Sequence, residues 1–233
     1  MSEAEALMFV AARTRVPVPE VFSAYTIGDV GFILMRKVEG ELLSSCIESM
    51  TPEGRRVAAD QLKMYVRAWR ILGSTFLGSV EGGPCPDILF NHPWDYKSTK
   101  RFGPFDTLEQ YNLGLVKVLR SSRSKSIWYE KEEALKEKIL SSTAERTSLI
   151  PLGALTHGDL HMGNIIIKDG SITGIVDWGE AGYSLPEREF FAAKRIALDD
   201  SWLEMFNHAV PCLPDKYELM DEVDRSMMRY SPI

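Results

Sequence analysis

The chain has 233 residues, 45% of them hydrophobic and 26% charged, an ordinary globular composition with enough length to bury a core without a disulfide or metal staple. A net charge of −6 argues against broad binding to nucleic acid or to an anionic membrane surface. The longest apolar run, residues 6–12, falls far short of the ~20 residues that span a bilayer, and the acidic N-terminus lacks the basic start of a secretory signal.

Ser2, Glu3, Ala4 and Glu5 form a capping box, in which Ser2 caps a first helix and Glu5 reaches back. Leu7, Val10 and Ala11 are its expected apolar face. The alternating prolines of 16–19 stop it, because proline lacks an N–H and forces extended geometry on its predecessor. Residues 21–26 and 31–35 read as strands of a hairpin about a turn at 27–30. Residues 36–40 make a short polar connector.

Helical character begins at Thr51-Pro52, a cap followed by proline at the first helical position. Ala58, Leu62, Tyr65, Trp69 and Leu72 then recur at helical spacing. Residues 78–106 are rich in glycine and proline and read as a long irregular insertion. A second capping box at 107–110 opens a helix through Tyr111, Leu115 and Val118. A basic, serine-rich break at 121–126, with Arg120, Arg123 and Lys125, reads as a helix end. Further helices are expected at about 128–140, 186–198 and 215–228. Cys46, Cys85 and Cys212 are odd in number and far apart, which fits a reducing, cytoplasmic compartment rather than a disulfide framework or a CxxC metal site.

The strongest signal lies at 154–179. An apolar lead-in, Ala154-Leu155-Thr156, enters His157-Gly158-Asp159-Leu160-His161-Met162-Gly163-Asn164. Ile165, Ile166 and Ile167 form a strand, 168–171 a hairpin turn, and 172–176 the return strand, which ends at Asp177-Trp178-Gly179. A tight hairpin brings Asp159, Asn164 and Asp177 to one end. Two carboxylates and an amide oxygen are hard donors, suited to Mg²⁺, which takes few protein ligands and leaves room for water and phosphate.

The Asp159–Asn164 spacing and the Asp-Trp-Gly after the hairpin resemble the catalytic loop and metal motif of protein-kinase-like phosphotransferases. The local wording looks more like the aminoglycoside phosphotransferase and choline kinase branch, and most like its fungal-type members. Residues 16–19, the strand ending in Met35, Gly103-Pro104-Phe105 and Pro186-Glu187-Arg188-Glu189 add weaker matches along nearly the whole chain.

This resemblance implies an α+β, protein-kinase-like fold: a truncated small N-lobe with the hinge at 1–40, and a mainly helical C-lobe at 41–233 carrying the catalytic-loop hairpin. It implies an ATP- and Mg²⁺-dependent phosphotransferase acting on a small-molecule hydroxyl, with no nucleic-acid or membrane partner. Asp159 would orient the acceptor hydroxyl or take its proton, and His161 would approach the transferring phosphate. Asn164 and Asp177 would hold Mg²⁺. Met35, Lys37 and Val38 would form the hinge, with the backbone of Lys37 and Val38 facing adenine. His157 would tie the loop to the core, and Glu187 and Glu189 would anchor the segment after the metal motif. His92 and His208 read as surface or structural residues.

The acidic residues Asp199, Asp200, Glu204, Asp215, Glu218, Asp221, Glu222 and Asp224 read first as a solvated helix face. The competing expectation is a cation-attracting rim for an amine substrate, with Trp178 and Trp202 offering cation–π contacts, although a Trp beside a metal motif more often belongs to the core. The family's glycine-rich strands and lysine-bearing strand have no counterpart before the first helix. Glu3 or Glu5 matches the helix glutamate that pairs with that lysine. The alternative expectation is therefore a non-catalytic, pseudokinase-like binding module or a truncated remnant.

Overall fold

The computed structural model describes residues 2–90, 101–121, 130–142, 151–195, 197 and 199–228. His92, Arg123 and Lys125 lie outside them.

Helix α1 (Ser2–Arg13) buries Ala4, Ala6, Leu7 and Val10. Ala11, expected on that face, is exposed together with Ala12 and Arg13, because the last turn runs past the core. The proline stretch that follows is extended along a later strand, where the Pro17 carbonyl accepts the Ile175 N–H at 2.8 Å. Strands β1 (Val21–Ile27) and β2 (Val30–Met35) pair antiparallel about the two-residue turn Gly28-Asp29. The connector then leads into β3 (Glu41–Leu42) and the short helix α2 (Leu43–Cys46).

Helix α3 (Pro52–Arg70) starts as its sequence dictates. Thr51 Oγ1 accepts the Gly54 N–H at 3.0 Å, and Pro52 occupies a position whose N–H has no helical partner. Its inner face buries Ala58, Ala59, Leu62, Val66 and Trp69.

A four-stranded antiparallel sheet lies beyond α3, ordered β4 (Gly73–Ser74), β6 (Gly153–Thr156), β9 (Gly182–Ser184), β5 (Gly78–Ser79). Among the described residues, 78–106 carry little regular structure beyond β5, as expected, yet they are tied into the fold. β5 belongs to this sheet, and Leu77 and Phe105 exchange two backbone hydrogen bonds at 2.8 Å. Cys85, Leu89, Phe90 and Phe105 are buried in one core with Tyr111, Leu115 and Leu119 of α4 (Leu108–Ser121). The described part of the insertion is thus a second core's wall.

Asp87 holds it there. One carboxylate oxygen accepts the Leu89 N–H at 3.0 Å and lies 2.8 Å from Arg188 Nε, while the other accepts the Tyr111 and Ser184 hydroxyls, each at 3.1 Å. Asp87 and Arg188 are both buried. Such a pair adds little net stability over apolar residues, but removing one member strands a charge and costs ~3–5 kcal/mol.

The remaining helices are α5 (Glu130–Ser141), α6 (Arg188–Arg195), α7 (Asp200–Ala209) and α8 (Pro214–Met228). α7 is a separate helix between the two expected at 186–198 and 215–228. Asp199 begins it by accepting the Trp202 N–H at 2.9 Å. The acidic stretch is accordingly mixed rather than a rim: Asp224 is buried against Arg195, Asp221 pairs with Arg225, and Glu222 with Lys138. Trp178 and Trp202 are core residues, closed to any amine. None of the described helices is long and apolar enough to cross a membrane.

Candidate active site

The central hairpin is built from β7 (Ile165–Lys168) and β8 (Ser171–Ile175), with β3 paired on β7. Its turn is Asp169-Gly170, both at positive φ, the two-residue geometry that matches strand twist. Ile165, Ile167, Ile172 and Ile175 are buried, which locks the register. Ile165 pairs with Ile175, so the residues entering and leaving the hairpin meet at one end.

Asp159, Asn164 and Asp177 accordingly converge. The Asn164 side-chain amide donates to the Asp159 carbonyl at 2.9 Å and to Asp159 Oδ2 at 3.4 Å. The Asn164 carbonyl accepts the Val176 N–H at 2.9 Å, one residue before Asp177. Asp177 has φ 62°, a left-handed conformation that Asp tolerates better than most residues, and it is exposed. His161 Nδ1 accepts the Gly163 N–H at 3.0 Å, which leaves Nε2 as the protonated nitrogen, 3.6 Å from Asp159 Oδ2.

Beneath this loop lies a buried aromatic layer. Trp178, next to Asp177, is fully buried, donates Nε1–H to the Ile175 carbonyl at 3.0 Å, and meets Trp69 edge-on at 5.3 Å between ring centroids. His157 stacks obliquely on Trp178 at 4.6 Å. Its Nε2 donates to the Val176 carbonyl at 2.9 Å, and its Nδ1 accepts the Asp159 N–H at 3.3 Å. Gly158 has φ 87°, and a Cβ there would fall on the Glu180 carbonyl oxygen. Only glycine therefore fits between His157 and Asp159.

Burial pushes the His157 pKa below its ordinary value, against the opposing pull of Glu189, the Val176 bond, Asp159 and Asp177. The neutral ring is the folded form near neutral pH. An unfolded chain takes up the proton first as pH falls below ~6.5. The stability tied to this ring is thus complete above that pH and declines as pH drops toward the depressed folded value. Urea midpoints at pH 7.5 and 5.5 should show a larger fall for the wild type than for His157→Gln.

The carboxylates of the site repel one another. Glu3 of α1 titrates above its usual range, first through partial burial and then through Asp177. Glu180, although an exposed residue, is also raised, first by desolvation of its carboxyl against the loop, with Arg188 opposing and Asp87, Asp159 and Asp177 adding to the rise. This negative end calls for a cation. Asp177 and the Asn164 amide oxygen are two hard donors, the small protein share that Mg²⁺ takes when phosphate and water supply the rest. They fit that ion, although the described residues contain no cluster of three or more His, Cys, Asp or Glu side chains able to hold a metal alone.

Met35 ends β2 and packs against the main core, and Val38 packs onto Gly174 of β8, where a Cβ would approach Val38 Cγ1 to 2.6 Å. Thr173 Oγ1 donates to the Glu39 carbonyl at 2.7 Å, fixing the connector to β8. Among the described residues nothing hydrogen-bonds to the peptide groups of Lys37 or Val38. The Lys37 side chain is exposed.

A profile of the phosphotransferase enzyme family matches residues 1–221, across both the hairpin and the flanking helices. The chain belongs to that family. No curated protein matches it in sequence. Among solved structures, this phosphotransferase-family chain is similar to ADP-bound aminoglycoside phosphotransferase APH(2'')-Ib, with TM-score 0.59, 17% identity, and 98% of this chain and 69% of that one covered. The streptomycin–ATP complex of APH(2'')-IIa has TM-score 0.57 and 17% identity, covering 98% and 69%. A ternary complex of APH(4)-Ia with ADP and hygromycin B has TM-score 0.57 and 15% identity, covering 97% and 80%. The fold is the α+β kinase-like one, a small sheet lobe joined to a helical lobe.

The site also contains a residue whose full role the sequence did not disclose. Glu189 of α6 is wholly buried and reaches across to the loop. Its pattern, Pro-Glu-x-Glu, marked it only as an anchor of its own segment.

Proposed function

We propose that this chain transfers the γ-phosphoryl group of ATP, with Mg²⁺, to a hydroxyl of a small molecule. The observation that carries the reading is the Asp159 carboxylate held on one oxygen by the Asn164 amide, at the hairpin end from which Asp177 emerges. Asp159, partly exposed, orients the acceptor hydroxyl and takes its proton through Oδ1, since Oδ2 is engaged. Asn164 and Asp177 hold the Mg²⁺, which neutralises phosphate charge when bound. His161 directs Nε2–H toward Asp159 Oδ2 and the adjoining phosphate position. The connector after Met35 is the hinge between an N-lobe at 1–40 and a C-lobe at 41–233, with Lys37 and Val38 offering backbone groups to adenine. Phosphoryl transfer asks the protein mainly for positioning and charge neutralisation, which this small set supplies.

Nucleotide complexes of the similar aminoglycoside phosphotransferases support this reading, and a cytoplasmic ATP pool fits it. The acceptor is an alcohol of small size. The test is ADP formation from Mg·ATP, followed with a coupled assay across a panel of amino sugars and amino alcohols. Acceptor-dependent ADP release supports the reading. A folded chain that neither binds nor cleaves ATP overturns it.

A further inference from the structure

Strands β1 and β2 form a two-stranded sheet whose two faces differ. Residues opposite each other in an antiparallel pair share a face. Tyr25 pairs with Phe32, Ile27 with Val30 and Ser23 with Leu34, so these six side chains line one face. Ala24 and Ile33 pair on the other face, where both are half-buried, and Val21 and Met35 pack there against the main core. The first face has no such cover among the described residues. Its five large apolar side chains are 42–64% exposed. The Tyr25 and Phe32 rings stack at its centre, 5.4 Å apart between centroids.

A hairpin that shows one face to water ordinarily carries polar residues on it. β2 instead reads Val-Gly-Phe-Ile-Leu-Met, apolar on both faces, which is the pattern of a strand covered on both sides. Five half-exposed side chains of this size leave on the order of 500 Å² of contiguous apolar surface, near the top of what a monomer carries. A two-stranded ribbon is also marginal by itself. A further strand at the edge of β2 would extend the sheet and leave this face open. Whatever covers it lies on top.

The charges select the occupant. Between Val21 and Met35 the one charged residue is Asp29, at the turn. At the opposite end Arg36 is paired with Glu20 at 2.7 Å, and Lys37 is exposed beside them. The chain then leaves for β8, where Thr173 holds the Glu39 carbonyl. The face is therefore neutral along its length, acidic at its tip and basic at its base. Two such faces stacked with strands antiparallel across a two-fold axis bring each Asp29 over the Lys37 end of the other copy. Stacked parallel, they would set Asp29 over Asp29. The doubled patch removes ~1,000 Å² of apolar surface from water, the lower bound for a specific interface. Aligned sheets about 10 Å apart interdigitate their side chains in this way.

We propose that the exposed face of the β1–β2 hairpin is a self-association surface, on which a second copy of this chain packs as an antiparallel two-fold sandwich. The contact is isologous, each patch meeting itself. Tyr25 and Phe32 sit at its centre, where buried aromatic residues carry most of the binding energy.

The test is sedimentation equilibrium of the full chain over a wide concentration range. The wild type should pass from monomer to a species of twice the chain mass with a Kd of ~10 μM, the scale of a small interface. Phe32→Glu places a charge at the centre of both patches and should raise that Kd at least ~30-fold. Leu34→Lys, on the same face, should act in the same direction and covers the case of a Phe32→Glu chain that does not fold. Asp29→Lys should weaken the dimer about fivefold, and Asp29→Lys combined with Lys37→Glu should restore it to within about twofold. Far-UV circular dichroism, which should match the wild type, shows that each variant is folded. A wild type that stays monomeric at ~200 μM, far above that Kd, overturns the proposal. So does a folded Phe32→Glu or Leu34→Lys chain that dimerises as the wild type does, or growth beyond the dimer, which a closed two-fold contact forbids. A monomer that instead sediments with phosphatidylcholine vesicles, and loses them on Phe32→Glu, would give the face to lipid and overturn it as well.

Discussion

Asp159→Asn is expected to lower acceptor-dependent turnover by ~10²–10⁴-fold, the range that general-base assistance supplies, while Mg·ATP affinity stays within about threefold. The substitution is nearly isosteric, so the loop has little reason to move. The Asp159 carbonyl, which accepts the stronger of the two Asn164 bonds at 2.9 Å, belongs to the backbone and survives the change. A side-chain amide oxygen can still accept from Asn164 Nδ2 in place of Oδ2. What disappears is the ability to take a proton on the free oxygen and the negative charge that orients the acceptor hydroxyl. Because Asp159 also adds to the repulsion at Glu180, the variant should be no less stable than the wild type. The measurement is initial velocity of ADP formation beside calorimetric titration of Mg·ATP. A turnover within threefold of wild type would remove Asp159 from the chemistry and leave it as a loop residue.

How far the sequence carried this site depends on how local each contact is. Asp159, Asn164 and Asp177 span 19 residues joined by a two-residue turn, and the buried isoleucines set the register. Their convergence was therefore legible from spacing alone. His157 as a core residue was legible for the same reason, being flanked by buried Thr156 and close to Trp178. The burial of Trp178 and Trp202 in the main core was less so, because an aromatic side chain beside a functional motif has the same composition whether it faces ligand or core. The sheet β4-β6-β9-β5 escaped because two of its strands are Gly-Ser pairs, too short to show any alternation. Asp87 escaped because all its meaning is remote: Tyr111, Ser184 and Arg188 lie 24, 97 and about 100 residues away, and loop-closing contacts of that kind leave no periodic trace. Glu189 was marked by its motif, but its partners, Trp69 at 120 residues and His157 at 32, appear only in three dimensions.

Asp177 allows a sharper separation of function from fold, because its two expected effects have opposite signs. Asn is the replacement of choice, since the position has φ 62° and Asn accepts left-handed geometry about as well as Asp, whereas alanine would add backbone strain. Without nucleotide, Asp177→Asn should unfold at the same temperature as wild type or higher. Asp177 raises the carboxyl pKa of both Glu3 and Glu180, so removing its charge relieves repulsion at an end of the hairpin that carries several acidic groups. With Mg²⁺ and ATP the order should reverse. A ligand that binds only the folded state stabilises it by mass action, and a site that loses its one charged donor, keeping only amide oxygens, loses most of that gain. Affinity for Mg·ATP should fall on the order of a hundredfold, the scale of one charge-assisted contact. The readout is a pair of thermal unfolding curves, with and without Mg·ATP, for both proteins. A ligand-induced rise in Tm that is equal in the two would place the metal elsewhere and refute Asp177 as its ligand. A variant that is already unstable without ligand would instead refute the repulsion argument, because it would make Asp177 a structural residue of the turn.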